Sequence, residues 1–158
     1  MDLVSRFEQY ARDFDLAVAD DDWSRVRAHF CDDAVREEHV PPLISLRHEG
    51  AEQIVNGWRK MVANFDRRFD LRIVVPVGRA KASGNKVTLR WVGAYVIENA
   101  PALLGEGTEF ATYEGDRIKH LRTTWTPETV ERNIAWATEH GKKIPGLLEY
   151  AATLAPKG

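Results

Sequence analysis

The sequence has almost no cysteine, no long apolar run and no excess of charge of one sign, and each absence excludes a class of protein. Cys31 is the only cysteine, which excludes an internal disulfide and predicts a reducing, cytoplasmic environment. The longest apolar stretch, residues 91–97, is far shorter than the roughly 20 residues that a membrane-spanning helix needs. Residues 1–6 lack the basic start and the apolar run of a signal peptide, so we expect none.

The charges of the chain are nearly balanced. There are 22 Lys and Arg residues against 24 Asp and Glu residues, which gives a net charge of −2, and the basic residues are scattered. We therefore expect no positive field that would attract a nucleic acid. With 158 residues, a hydrophobic fraction of 44% and no low-complexity linker, the chain is long enough for one domain with its own core.

Apolar residues recur at steps of three and four in two segments, which is the pattern of amphipathic helices. The first segment carries Leu3, Phe7, Tyr10, Phe14 and Val18, and the second carries Ile54, Trp58, Met61, Val62 and Phe65. We expect the first helix to end at the acidic residues 20–22, because acids are unfavourable at the negative end of a helix dipole. A short helix should follow there, and the second long helix should begin at Gly50.

From Phe69 onward the period of the apolar residues changes to two, which is typical of half-buried antiparallel strands. The predicted strands cover residues 34–40, 43–47, 69–77, 87–97, 104–113 and 117–125. Gly93 is expected to form a bulge or a bend in its strand. Helices grouped around a continuous antiparallel run predict the α+β class, with a curved antiparallel sheet and helices packed on one of its faces.

Three segments carry further local patterns: residues 23–34 are a short helix and its exit, residues 50–54 are a helix start, and residues 110–118 are a hairpin. In this order and at these separations they resemble motifs of the nuclear transport factor 2-like superfamily. Its members include ketosteroid isomerase, SnoaL-like polyketide cyclases, scytalone dehydratase and limonene epoxide hydrolase. The resemblance covers residues 1–126. It implies a cone-shaped sheet closed by the N-terminal helices, an apolar pocket for a small apolar molecule, and a homodimer formed through the outer sheet face.

Residues 127–158 lie beyond this resemblance and are predicted to be a C-terminal helical extension packed on the same domain. Thr126 and Pro127 are a typical helix start, and this helix should reach His140 before a final helix over residues 145–154. The extension could cover the pocket, enlarge a dimer contact or protect the open edge of the sheet. The sequence leaves these three alternatives open.

Residues 37–39 contain the first candidate catalytic groups. On a strand Glu37 and His39 share one face and Glu38 takes the other. Aligned with ketosteroid isomerase, Glu38 falls at the position of the general-base aspartate, and burial would raise its pKa and improve it as a base near neutral pH. A second register, similar to SnoaL-like sequences with a His shortly before a Pro, would turn His39 inward as the acid/base group. A solvated acidic edge strand is the third possibility.

Glu109 is the second candidate. The resemblance to ketosteroid isomerase implies at this position a protonated carboxylic acid that donates a hydrogen bond to an oxyanion, and that enzyme is the standard example of such a donor. Its tyrosine donor corresponds here to Phe14, which has no hydroxyl, and Tyr10 is the nearest substitute, one turn earlier. A cross-strand ion pair of Glu109 with Arg90 or Arg122 is the structural alternative.

Large apolar and aromatic side chains on the predicted helices and strands are the candidates for binding the ligand. They are Tyr10, Phe14, Trp58, Met61, Trp91 and Tyr95. The same stripes are also typical of a plain core. The five histidines show neither i,i+4 spacing nor a cysteine cluster, so we predict no metal site and no cofactor.

These candidates favour an acid/base enzyme without a cofactor, an isomerase, cyclase or dehydratase for a small apolar carbonyl compound. Glu38 and Glu109 would be its catalytic groups, with His39 in the second register. The alternative is a non-catalytic ligand-binding or dimeric assembly module of the same fold, which the missing tyrosine at Phe14 favours. Hydrolysis resembling that of limonene epoxide hydrolase is a third hypothesis, and it needs an arginine between two pocket carboxylates.

Overall fold

The computed structural model describes all 158 residues as one six-stranded sheet with five α-helices. The helices are α1 (Leu3–Asp20), α2 (Ser24–Arg27), α3 (Ala51–Asn64), α4 (Pro127–His140) and α5 (Leu147–Leu154). The strands are β1 (Phe30–Val40), β2 (Ile44–Glu49), β3 (Leu71–Ser83), β4 (Lys86–Val96), β5 (Leu103–Glu114) and β6 (Arg117–Trp125). None of the helices is long and apolar enough to cross a membrane.

The strands lie in the order β2-β1-β6-β5-β4-β3, so β2 and β3 are the two open edges of a curved sheet. The prediction of an α+β cone fold is confirmed. All neighbouring strands run antiparallel except β1 and β6, which are parallel. The sheet is therefore mixed. A parallel pair needs a long crossover between its two strands, and β2, α3 and β3–β5 form the crossover between β1 and β6.

The predicted bulge at Gly93 is wrong. Gly93 stays in register with Val74 on one side and with Gly105 on the other. The register of the β3–β4 pair shifts instead between Val77 and Lys81. Gly78 lies in this interval with φ +75, a backbone conformation that favours glycine.

Helices α1 and α3 contribute the apolar stripes that the periodicity predicts. Asp2 caps α1 by accepting a hydrogen bond from the Ser5 backbone N–H at 2.9 Å, and α1 ends at Asp20 as expected. Tyr10 of α1 and Trp58 of α3 are buried, with their ring centroids 6.2 Å apart. Burial of these stripes against the sheet stabilises both helices, since isolated helices of this length are marginal in water.

Gly57 allows α3 to pack closely on β2. A Cβ atom at this position would overlap the imidazole ring of His48, which lies on β2. The same ring approaches Arg36 on the neighbouring strand β1, with 3.5 Å between Nδ1 and the guanidinium Nη1. Because Gly57 has no side chain, the His48 ring can lie against α3 and also contact the buried Arg36.

The C-terminal helices pack on the open end of the sheet. Thr126 caps α4 by accepting a hydrogen bond from the Thr129 backbone N–H at 3.2 Å, with Pro127 in the first turn as the sequence predicts. Trp136 of α4 joins a second apolar cluster with Phe69, Ile97, Leu103, Ile144 and Leu147. Helix α5 follows, and its residues Leu147 and Tyr150 are buried.

Candidate functional site

A cavity of about 530 Å³ lies between the inner face of the sheet and helices α1, α3, α4 and α5. Hydrophobic side chains make up 24 of its 34 lining residues. All six residues proposed from the sequence to bind a ligand lie on its walls: Tyr10, Phe14, Trp58, Met61, Trp91 and Tyr95. Their role in binding stays a prediction, and the cavity has the size and apolar lining of a small-molecule site.

The register of the sheet aligns three polar side chains of the cavity, those of Glu38, Thr123 and Glu109, in one row. Glu38 of β1 pairs with Thr123 of β6, Thr123 pairs with Glu109 of β5, and Glu109 pairs with Leu89 of β4. All four residues line the cavity. Since neighbouring strands lie about 4.8 Å apart, the two glutamates begin from backbone positions about 10 Å apart on either side of Thr123.

Glu38 is buried, and both of its carboxylate oxygens are held. Oε2 accepts a hydrogen bond from Nη2 of Arg36 at 2.9 Å, and Oε1 accepts one from the indole Nε1 of Trp125 at 2.8 Å. Burial raises the pKa of Glu38, while the Arg36 charge and the Trp125 donor act in the opposite direction. The two donors also fix the orientation of the carboxylate in the cavity.

Arg36 is the site residue that sequence reasoning missed. It is only 2% exposed, although it is charged, and its guanidinium lies over the Trp58 ring at 4.7 Å from the centroid. Its Nε is buried without a hydrogen-bond partner. The signal in the sequence was its spacing, because residues i and i+2 of a strand share a face and Arg36 therefore accompanies Glu38 inward.

Glu109 faces the same cavity without any hydrogen bond or ion pair to the protein. The alternative ion pair with Arg90 or Arg122 is not formed, and the Arg122 guanidinium lies over the Phe110 ring instead. Burial raises the pKa of Glu109 to about 7, the Arg36 charge lowers it and the Glu38 charge raises it. The group is therefore poised to exchange a proton near neutral pH.

The surroundings of the two carboxyl groups differ, and the difference separates their pKa values. Glu38 has a paired arginine and an indole donor that favour its charged form. Glu109 has neither, and it senses the negative charge of Glu38. Glu38 is therefore the first to ionise, and Glu109 keeps its proton up to about pH 7.

Tyr10 brings a hydroxyl group to the same region. Its side chain lines the cavity, and no protein group accepts a hydrogen bond from its hydroxyl. Burial raises the pKa of Tyr10 well above its usual value, and the Glu109 charge adds to this effect. The hydroxyl is therefore a protonated donor in the same cavity as Glu109, whereas Phe14 packs edge-on against Trp58 at 5.2 Å and offers no polar atom.

The register that turns His39 inward is wrong. His39 is exposed on the opposite face of β1, where its Nδ1 lies 3.2 Å from the Ser45 hydroxyl. Glu37 shares this outer face, and its carboxylate pairs with His120 at 2.7 Å and with Arg47. Of the three candidates in residues 37–39, only Glu38 reaches the cavity because successive side chains of a strand alternate between faces.

Replacing Glu109 by Gln should stabilise the fold above about pH 7 and have little effect near pH 4. The folded pKa of about 7 exceeds the ordinary value of 4.5, so the ionised form is penalised in the folded protein. At about 1.4 kcal/mol per pKa unit, the variant should gain up to about 3 kcal/mol in free energy of unfolding. Urea unfolding at several pH values measures this gain, and a constant difference between the two proteins at every pH would contradict it.

Comparison with protein families identifies a large part of the chain. The sequence model of the SnoaL-like domain matches residues 10–121, which include α1 from Tyr10 onward, α2, α3, all of β1 to β5 and the first part of β6. Tyr10, Glu38 and Glu109 lie inside the matched region, whereas α4 and α5 lie outside it. Among curated protein sequences, none matches the chain.

Solved structures share the fold at low sequence identity. An LEH-like epoxide hydrolase of M. tuberculosis has 18% identity and a TM-score of 0.59, covering 87% of this chain and 95% of the other. A protein with a ketosteroid isomerase-like fold from Catenulispora acidiphila, in complex with trimethylamine, has 20% identity and a TM-score of 0.58, covering 77% and 88%. A putative polyketide cyclase from Sinorhizobium meliloti has 19% identity and a TM-score of 0.53, covering 72% and 92%. At these identities the likeness shows the fold alone.

Proposed function

Because the chain belongs to the SnoaL-like domain family, we propose that it is a cofactor-independent acid/base catalyst for a small, mostly apolar carbonyl compound. The reaction would be an isomerisation, a cyclisation or a dehydration. One observation carries the proposal: a carboxylate paired with Arg36 and a second carboxyl group without a partner face the same apolar cavity. Pairs of titratable groups with opposed preferences are the usual arrangement for acid/base work.

In this proposal Glu38 is the base and Glu109 is the acid. The Glu38 carboxylate removes a proton from the carbon next to the carbonyl group, and the electron pair of that C–H bond moves toward the carbonyl oxygen. The Glu109 acid and the Tyr10 hydroxyl donate hydrogen bonds to this oxygen as its negative charge develops. In an isomerisation the proton then returns from Glu38 to another carbon. In a dehydration the enolate expels the hydroxyl group on the β-carbon, which takes the proton from Glu38 and leaves as water.

Hydrolysis of an epoxide is the second candidate, and Arg36 favours it. This residue lies near two pocket carboxyl groups, as a carboxylate-arginine-carboxylate site requires. Glu38 would then activate a water molecule, and Glu109 would protonate the epoxide oxygen. We rank this second because Arg36 hydrogen-bonds Glu38 but not Glu109.

Two probe reactions test these proposals. The purified protein is incubated in deuterium oxide with cyclohex-3-enone, and deuterium incorporation and the conjugated product are followed by NMR. Styrene oxide in oxygen-18-labelled water tests hydrolysis by mass spectrometry of the diol. We expect enone formation faster than in buffer and loss of this rate in Glu38→Gln. Ketone binding with no proton exchange would contradict catalysis and favour the non-catalytic binding module.

We also propose that the outer face of the sheet forms a homodimer contact. Large aliphatic side chains occur at every second position of the edge strand β3 and are exposed: Leu71, Ile73, Val75 and Val77. Leu104 on β5 is exposed as well and adjoins them through Ala94. Contiguous exposed apolar surface of this kind marks interaction sites, and a second copy can cover it symmetrically.

The dimer is tested by placing a charge in this surface. Ile73→Glu should convert the dimer to a monomer in sedimentation equilibrium, because an isologous contact would bury the charge twice. Leu16→Glu is the matched control, since Leu16 is an equally exposed aliphatic side chain on α1. A wild-type protein that sediments as a monomer, or an Ile73→Glu variant that remains a dimer, would refute the contact.

A further inference from the structure

A second polar cluster lies in the same cavity, away from the glutamates. Asp66 begins the short 3-10 turn Asp66–Arg68 after α3 and is only 5% exposed. Its Oδ1 accepts a hydrogen bond from Nε of Arg72 at 2.8 Å and a second one from the Tyr95 hydroxyl at 3.2 Å. All three residues line the cavity.

The second oxygen of Asp66 has no partner in the protein. Both hydrogen bonds go to Oδ1, and Oδ2 receives none. This oxygen is also not among the sealed polar atoms without partners, which are Arg36 Nε, Tyr113 Oη and His140 Nδ1. It is therefore reachable from the cavity and offers an acceptor on a carboxylate that is otherwise buried. A ligand hydroxyl that reaches this oxygen can donate a charge-assisted hydrogen bond to it, which is stronger than one between neutral groups.

The two polar centres are joined by aromatic rings. The Arg72 guanidinium lies 6.0 Å from the Phe14 centroid, Phe14 packs against Trp58 at 5.2 Å, and Trp58 carries the Arg36 guanidinium at 4.7 Å. The centres also sense each other electrostatically, because the Asp66 charge contributes to the raised pKa of Glu38. Aromatic rings thus lie between two polar groups of one cavity.

We propose that Asp66 is a second binding subsite, which accepts a hydrogen bond from a hydroxyl group at the end of the ligand remote from its carbonyl. The substrate class is then a hydroxy-ketone with an apolar or aromatic middle part. This inference deepens the proposed function and rests on it for the orientation of the ligand. The subsite itself rests only on the free oxygen of Asp66, its burial and its place in the cavity.

The charges around Asp66 favour a hydroxyl over other groups. Arg72 already balances the Asp66 charge at 2.8 Å and also pairs with Asp15 at 3.4 Å. An ammonium group would bring a second cation next to Arg72, and a carboxylate would face the negative oxygen of Asp66. A neutral O–H donor meets neither repulsion and forms a charge-assisted hydrogen bond.

The test compares three ligands that differ at one position. Isothermal titration calorimetry is carried out with benzylacetone and its para-hydroxy and para-methoxy derivatives. The hydroxy compound should bind about tenfold or more tightly than the other two, because only it can donate to a carboxylate. Asp66→Asn presents an amide donor in place of the free oxygen, and the affinity ratio should fall to about one.

Two controls separate this subsite from the catalytic proposal. The rate of proton exchange should fall as the pH rises through about 7, where Glu109 loses its proton. Glu109→Gln should abolish this fall but keep the preference for the hydroxy compound. Asp15→Asn removes the other carboxylate that pairs with Arg72, and this variant should also keep the preference for the hydroxy compound. Equal affinities of the three ligands for the wild-type protein, no binding of the hydroxy compound, or a preference lost in Glu109→Gln would each overturn the subsite. The wild-type and Glu109→Gln measurements decide the question even if Asp66→Asn does not fold.

Discussion

Glu38→Gln should lower the rate of carbonyl turnover by about 10² to 10⁴, the usual contribution of a positioned general base. The amide keeps the shape of the side chain and its oxygen still accepts one hydrogen bond, from Arg36 or from Trp125. The amide is a much weaker base than a carboxylate, so it removes the proton from carbon far more slowly. The measurement is the initial rate of enone formation with saturating cyclohex-3-enone, with circular dichroism to show that the variant is folded.

Glu37→Gln is the matched control for this experiment. Glu37 is the next residue of the same strand, but it lies on the outer face and pairs with His120 and Arg47. Its replacement should leave the rate within about twofold, because a surface ion pair contributes little. If both variants kept the wild-type rate, Glu38 would not be the base.

The rate should also fall as the pH rises through about 7, since Glu109 must carry a proton to donate. Glu109→Gln retains an N–H donor that does not titrate, and its rate should therefore stay constant through this range. An alkaline fall that persists in the variant would assign the titration to another group.

Arg36→Met should lower the free energy of unfolding by about 3 to 5 kcal/mol at about pH 8, because it leaves a buried carboxylate without its partner. Met fills a similar volume and keeps the contact with Trp58, so lost packing is a small part of the effect. Without Arg36 the folded pKa of Glu38 rises further above its ordinary value of 4.5. The penalty is therefore absent below that value and grows as the pH increases.

The double variant Arg36→Met/Glu38→Gln separates charge from packing. Removing both charges should recover most of the stability lost at about pH 8, which a double-mutant cycle from urea unfolding measures as a coupling energy of more than about 1 kcal/mol. An additive cycle, or a loss of stability that is the same at low and high pH, would show that the ion pair is not the cause.

The local elements of the fold follow from the sequence, whereas their long-range pairing does not. The stripe from Phe7 to Val18 predicts α1, and Thr126 with Pro127 predicts the first residue of α4, because caps and periodicity act over a few residues. The parallel pairing of β1 with β6 joins two segments that β2, α3 and β3–β5 separate along the chain, and no local pattern encodes it. The position of the bulge at Gly78 rather than Gly93 is of the same kind, because the match between two strands decides it.

The candidate site was partly predictable for the same reason. Strand alternation predicts that Glu38 lies on the face opposite to that of Glu37 and His39, but only the packing of the sheet determines which face is interior. Arg36 has the correct spacing to face inward with Glu38, but a charged side chain is rarely buried unless it is paired, and this pair is formed only in the folded sheet. Asp66 lies in the turn after α3, and Arg72 lies on the edge strand β3. Their contact depends on the path of the chain between α3 and β3, which no local pattern predicts.

The indole rings around the cavity make the protein its own optical sensor. Four of the five tryptophans line the cavity, namely Trp58, Trp91, Trp125 and Trp136. Trp58 lies under a guanidinium and Trp125 donates to a carboxylate, so their emission responds to a change of charge or water beside them. Entry of a molecule into the cone can therefore be followed by intrinsic fluorescence, without a dye and before any turnover takes place.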